Sequence, residues 1–291
     1  MPNRARIALL VACFLWAISF VATKVALEVT PPLVVVSLRL LISAVCFMPL
    51  VIGQAASILG HRALLRLFTL SLLGTGLHYG LQTTGLQYTT ASNASLYAVT
   101  APITILLLSA LFLGERITAL KATGVAIAIF GVLVVMGLEA LSSLELEGHL
   151  VGDFLVLVSI AMWGLFTVFG KKLTDELGAL GVTAAVTVIG ALWMAPVGVL
   201  EMRMTGFALG EISLRAWAAI AFLGIGCSFL ATWLYFTALG LSESQKVGVY
   251  LYTIPPMTAA FAALILGETI TARLVVGSML VITGVALTER G

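Results

Sequence analysis

Ten apolar stretches, each about 20 residues or a little longer, follow one another along the chain with little between them. A hydrocarbon core about 30 Å thick is crossed by roughly 20 apolar residues in helical form. Inside it every main-chain polar group must find a partner within the protein, and a helix meets that demand by itself. The stretches cover 7–27, 33–53, 66–86, 92–113, 119–138, 152–172, 179–200, 217–239, 245–266 and 272–290. Of the 291 residues, 61% are hydrophobic and only 10% charged, against about a quarter charged in a soluble domain. A water-soluble fold is excluded, and no second soluble domain has room. The chain reads as one all-α, multi-pass transmembrane domain.

The opening MPNRAR and its apolar run imitate a secretory signal. The run is too long, contains Trp16 and Lys24 and leads straight into further spans, so it is read as an uncleaved first helix. Lysine and arginine in short loops set orientation. With the N-terminus inside, the cytoplasmic side collects Arg4, Arg6, Arg62, Arg66, Arg116, Lys121, Lys171, Lys172, Lys246 and Arg290, while the outer loops hold Arg203, Arg215 and Arg273. The outer segment 139–153 is acidic, with Glu139, Glu145, Glu147 and Asp153. Both termini are therefore predicted to be cytoplasmic, with the chain in the inner (plasma) membrane.

The second half echoes the first. A shift of 153 residues aligns the segment from Leu96 with that from Val249, matching Tyr97 with Tyr250, Pro102 with Pro255, Gly114-Glu115 with Gly267-Glu268, Gly124 with Gly277 and Gly131 with Gly284. Nearer the start of each half a shift of 147 matches Trp16 with Trp163, Lys24 with Lys171 and Pro49 with Pro196. Two repeats of five spans follow, 1–147 and 148–291. Five is odd, so the second repeat must enter the membrane from the opposite side. Inverted repeats support two related conformations, each open to one face, with the site near the midplane.

The run GLQYTTASNASLYAVTAPITILLLSALFLGERIT, followed by GVAIAIFGVLVV, resembles the EamA-type, ten-helix branch of the drug/metabolite transporter superfamily, and the second half carries a weaker copy. Within that family the chain is most similar to the YddG-type aromatic amino acid exporters. The resemblance implies a secondary transporter of small metabolites, often an exporter of amino acids.

Depth sorts the candidate site residues. Trp16 and Trp163 fall mid-span on matched helices, away from the interfacial belt that tryptophan favours; they serve either packing or a stacking wall for a planar substrate. His78, Tyr79 and Gln82 share adjacent turns of the third span, and Trp233 and Tyr235 lie in the eighth. Tyr97 and Tyr250 each precede a proline by five residues and are placed near opposing gates. Pro102 and Pro255 remove a helix hydrogen bond, freeing the carbonyls of Ala98 and Leu251, and are read as hinges or as static kinks. Ser92, Asn93 and Ser95, like Ser244, Gln245 and Lys246, open helices and either cap them or meet substrate.

Charges close to hydrocarbon are costly and mark a site by default. Arg39 meets either a substrate carboxylate or Glu28, the structural link being favoured. Lys24 and Lys171 sit where lysine can snorkel to water. In the Gly-Glu-x-Ile-Thr junctions, Gly114 and Gly267 suit a left-handed helix end, Thr118 and Thr271 suit the next N-cap, and the glutamates suit a helix N-terminus. Gly124/Gly131 and Gly277/Gly284 offer small faces for close packing.

No aspartate or glutamate occupies the middle third of a span, which favours facilitated diffusion over a carboxylate proton relay; proton exchange through His78 is the alternative. GLFTVFGKK lacks the spacing and the Ser/Thr of a phosphate loop. Cys13, Cys46 and Cys227 form no CxxC, and His61, His78 and His149 are widely separated, so no disulfide, metal or cofactor is expected. No hydrolase elbow or selectivity-filter motif argues for an enzyme or a channel. The expected partners are the bilayer and a small-molecule cargo, aromatic or large apolar amino acids first, with no nucleic acid.

Overall fold

A computed structural model describes residues 1–52, 61–89, 94, 97–136, 150–258, 260 and 271–291. Among these residues there are helices and connections and no strand. Numbered in chain order, the helices are α1 (Asn3–Leu27), α2 (Pro32–Ile52), α3 (61–88), α4 (Ala101–Leu113), α5 (Ala119–Met136), α6 (150–177), α7 (179–205), α8 (214–239), α9 (244–258) and α10 (Ala272–Arg290). Long apolar helices run over Asn3–Leu27, Pro32–Pro49, Leu150–Thr205, Leu214–Leu239 and Ala272–Arg290. Their outer faces stay apolar: Val45 and Leu192 are each 70% exposed, as suits surfaces solvated by lipid tails.

Three boundaries depart from the hydropathy reading. Of the stretch 173–178, read as a connection, residues 173–177 are helical, and α6 passes into α7 through Gly178 alone, whose φ of 75° and ψ of 155° no residue with a side chain adopts cheaply. α7 also extends to Thr205, into the predicted loop. α3 begins at His61, five residues before the predicted span. Ser92, Asn93, Ser95, Glu139, Glu145, Glu147, His149, Gly267 and Glu268 lie outside the described residues.

α3 and α8 are interrupted in the same way. α3 carries a wide π-helical turn over Leu72–His78 between two α-helical pieces, and α8 carries one over Leu223–Ala231. Such turns are rare and gather at functional sites.

Small residues bring the helices together in pairs. On α5 a methyl group at Gly124 would lie 2.6 Å from the Gly284 carbonyl oxygen of α10, and one at Gly131 would lie 2.8 Å from that of Gly277. The antiparallel seam is backbone against backbone, as small-residue stripes allow. α2 runs against α7: Ser37 Oγ donates to the Met194 carbonyl at 2.7 Å, and the Val34 N–H donates to Glu201 at 2.9 Å. α3 packs on α6, where a methyl at Gly152 would sit 2.7 Å from the Gly85 oxygen, and α1 packs along α8. α3 also meets α7, Trp193 Nε1 donating to Ser71 Oγ at 3.0 Å. α8 meets α2 in turn, with Phe47 and Phe229 at 4.6 Å.

Candidate functional site

Near the middle of the bundle, Trp16 of α1 and Trp163 of α6 meet edge to face, ring centroids 5.2 Å apart and planes at 87°. Tyr235 of α8 backs both indoles, 5.3 Å from Trp16 and 5.4 Å from Trp163. His78 of α3 adds a fourth ring, 5.0 Å from Trp163. Edge-to-face pairs at these separations contribute about 0.5–1.5 kcal/mol each beyond buried area, so the rings hold one another in place. His78 Nδ1 lies 2.8 Å from the Ser159 carbonyl oxygen. A carbonyl only accepts, so Nδ1 donates and Nε2 of the neutral ring keeps its lone pair.

Above this wall is a cavity of about 360 Å³. Trp16, Ser19 and Phe20 border it from α1, Arg39 from α2, and His78, Tyr79 and Gln82 from α3. Ala98, Val99 and Ala101 border it at the start of α4, Ile160 and Trp163 from α6, and Leu251, Tyr252, Pro255 and Thr258 from α9. On α1, α3 and α9 these are the later residues, and on α2 and α4 the earlier ones. The cavity therefore occupies the half of the bundle remote from the two termini. Aromatic and apolar walls with a few convergent polar groups are the usual make-up of a small-molecule site.

Arg39 is 3% exposed. Its Nε donates to Ser228 Oγ at 2.9 Å, and its guanidinium carbon stands 4.0 Å from the centroid of the Tyr79 ring. The anticipated link to Glu28 is not made; that carboxylate faces Arg215 instead, at 3.6 Å.

Of the predicted site residues, Trp16, His78, Tyr79, Gln82, Trp163 and Pro255 border the cavity. Tyr235 stands behind the indoles rather than in the opening, and Trp233 lies toward Phe229, 6.2 Å away. Two positions apart on one helix, they point about 200° away from each other, so α8 cannot turn both to the cavity. Tyr97 and Pro102 flank the lining residues Ala98 to Ala101 without joining them, and Tyr250 lies nearer the termini. Pro102 falls in the first turn of α4, where a missing N–H costs nothing. Pro255 follows a 3₁₀ stretch over Val249–Thr253, and the Ile254 N–H satisfies the Leu251 carbonyl, which is not left free. Tyr252 and Phe20 join the lining without being among the expected residues. Tyr252 is distinguished from Tyr250 only by the rotation of the 3₁₀ turn.

The end carrying the termini is bridged by side-chain contacts among the described residues. Arg6 and Glu289 pair at 2.8 Å, and the Tyr250 hydroxyl donates to the same carboxylate at 2.6 Å, joining α1, α9 and α10. Glu115 accepts the main-chain N–H groups of Ser244 at 2.7 Å and Gln245 at 3.1 Å. Lys121 donates to Glu243. Burial pulls the Glu243 carboxyl upward, but Lys121 and Lys246 outweigh it and hold the group below the ordinary carboxylate value. Thr118 and Thr271 cap α5 and α10 as expected, each Oγ1 accepting an N–H at 3.2 Å, and Gly114 ends α4 at φ 68°. The Ser244 hydroxyl caps nothing; Glu115 takes that role from the other half of the chain. At the far end Lys24 caps α3, donating to the carbonyls of Leu86 and, at 2.8 Å, Thr89.

The model of the EamA-like transporter family matches the chain twice, at residues 3–137 and 150–290. The chain belongs to the EamA-like transporter family. An uncharacterized transporter of Archaeoglobus fulgidus is 31% identical over 281 residues, covering 94% of this chain and 95% of that protein. A probable amino-acid metabolite efflux pump of Escherichia coli is 24% identical over 299 residues, covering 100% and 96%. One solved crystal structure, 17% identical, superposes with a TM-score of 0.80 over 98% of this chain and 97% of its own, a likeness of fold. The family and the names of these relatives indicate a multi-pass membrane transporter rather than an enzyme.

Proposed function

We propose that this transporter is a secondary carrier that exports small metabolites, aromatic or large apolar amino acids foremost, by alternating access and facilitated diffusion. In this reading ten spans form two inverted repeats, 1–147 and 148–291, with both termini cytoplasmic in the inner membrane. The cavity above the Trp16–Trp163 wall, set against an opposite end bridged by Arg6, Glu289, Tyr250 and Glu115, carries the reading. With the termini cytoplasmic, the conformation is outward-facing.

Several features support the repeat. The π-turns of α3 and α8 start at Leu72 and Leu223, a separation of 151 residues that falls between the two sequence shifts. The pairing of α3 with α6 mirrors that of α1 with α8, and α3 on α7 mirrors α8 on α2. Among the described residues no aspartate or glutamate borders the cavity, which favours movement down the cargo gradient over a carboxylate relay. His78 in the lining keeps proton exchange as the second reading. The name of the E. coli relative supports amino-acid cargo for this chain.

The test is counterflow of labelled L-tryptophan in proteoliposomes loaded with unlabelled amino acid, without imposed pH or voltage gradients. Saturable exchange competed by phenylalanine is expected. Folded protein that exchanges nothing above empty liposomes removes the aromatic cargo. Exchange that requires a pH gradient and is lost with His78→Gln selects the proton-coupled reading.

A further inference from the structure

A buried guanidinium that borders a cavity needs an explanation. Removing a cation from water costs several kcal/mol unless an anion and hydrogen bonds compensate. The groups that Arg39 meets among the described residues, the Ser228 hydroxyl and the Tyr79 ring, are both neutral. They fix the side chain in place without neutralising it. The hydroxyl holds Nε at 2.9 Å and the ring supports the plane of the guanidinium, which leaves a pre-oriented planar cation at the edge of the cavity. A planar guanidinium matches a carboxylate in a two-pronged, charge-assisted pair.

We infer that Arg39 anchors the carboxylate of the cargo, and that the cavity takes aromatic carboxylates without a free ammonium group in preference to the zwitterionic amino acids. N-acylated aromatic amino acids are the type compound. The inference rests on the carrier reading and narrows its cargo. Trp16 and Trp163 receive the ring, and Arg39 receives the acid. A free ammonium group has no such partner: among the described residues the lining holds no carboxylate, and Arg39 repels a second cation. In a partly dehydrated cavity that repulsion is much stronger than in water. Acylation removes the charge and turns the unfavourable group into a neutral amide, for which Gln82 and Ser19 offer hydrogen bonds.

The experiment is counterflow of labelled N-acetyl-L-tryptophan in proteoliposomes of the full chain, competed by unlabelled N-acetyl-L-tryptophan, L-tryptophan and tryptamine, for the wild type, Arg39→Lys and Arg39→Met. The wild type is expected to prefer the acetylated anion over tryptophan by about tenfold, the scale of one charge-assisted hydrogen bond, with tryptamine weakest. Arg39→Lys keeps the order with a smaller spread. Arg39→Met levels it and weakens exchange of the acetylated anion most. Saturable exchange with equal competition by the three compounds in the wild type overturns the inference and leaves the carrier reading standing. A folded Arg39→Met that keeps the wild-type order also overturns it. No exchange of any of the compounds removes the carrier reading for aromatic cargo, and the inference with it. The wild-type ranking needs no variant to fold.

Discussion

Glu115 and Ser244 belong to different halves of the chain, yet the carboxylate of the first accepts the main-chain N–H of the second at 2.7 Å. The other carboxylate oxygen takes the Gln245 N–H at 3.1 Å, so α9 is capped by a residue 130 positions away. A carboxylate at a helix N-terminus satisfies donors that the helix leaves orphaned and complements its dipole. In the alternating-access reading this cap ties α9 to the first half of the chain and is vacated when that end opens.

Replacing Glu115 with Gln removes the charge from that cap, at a cost of about 0.5–2 kcal/mol. Val247, fully buried beside it, then becomes accessible more often. Val247→Cys, in a background with the three native cysteines replaced, should react with an impermeant maleimide about 2–30 times faster once Glu115→Gln is added, the factor set by that cost. Equal rates with and without Glu115→Gln would mean that the cap does not hold the closure.

Trp163→Phe keeps an aromatic ring in the wall and Trp163→Ala removes it. The loss of one stacked ring is worth about 0.5–1.5 kcal/mol, so apparent affinity for tryptophan should fall about two- to tenfold in the alanine variant. The phenylalanine variant should lie between. Transport kinetics identical to wild type in Trp16→Ala and Trp163→Ala, both folded, would remove the stacking wall.

The seam of α5 and α10 has no space for side chains. Gly284→Leu places its Cβ only 2.5 Å from the Gly124 carbonyl oxygen. Overpacking of this kind costs about 1–3 kcal/mol or more, and thermal stability in detergent should drop sharply. Gly210→Ala, with nothing within 4 Å of its Cβ, is the control that should leave it unchanged. A stable Gly284→Leu protein would show that the helices separate without penalty.

Arg66 beside Glu176 holds that carboxyl below its ordinary value of 4.5. A depressed native value means that the pair's contribution is complete above pH 4.5 and fades as pH falls through the lower native value. The thermal stability of wild type minus that of Glu176→Gln should therefore be small, positive and constant from neutral pH downward, and should vanish only in acid. Added salt should shrink it, since both groups are open to solvent. A difference that grows as the pH falls would contradict the assignment.

Hydropathy marks the helices because lipid demands it, and the repeat pairs Trp16 with Trp163 by position alone, the same two residues whose rings stand 5.2 Å apart in the fold. The helical course of 173–177 stays hidden, since its polar residues read as a connection while only Gly178 turns the chain. Tyr235 and Trp233 do not both reach the cavity because, two positions apart on one helix, they point about 200° away from each other. Tyr252 escapes notice because it lies within a 3₁₀ stretch. The partner of Glu115 has no local signature at all: the groups it meets are backbone amides, which every residue but proline carries.

The wide turn in α3 has one more effect. A regular helix advances about 100° per residue, and a turn that takes in an additional residue adds that angle as a phase jump. α3 can therefore devote one stripe to its neighbours before Leu72 and a different stripe to the cavity after His78, something no unbroken helix could offer on the same letters. Deleting a single residue within 72–78 would restore a regular helix and yet swing His78, Tyr79 and Gln82 away from the cavity together. In this segment a shorter, more ideal helix would be a worse one, and length variation here should be far less tolerated than substitution.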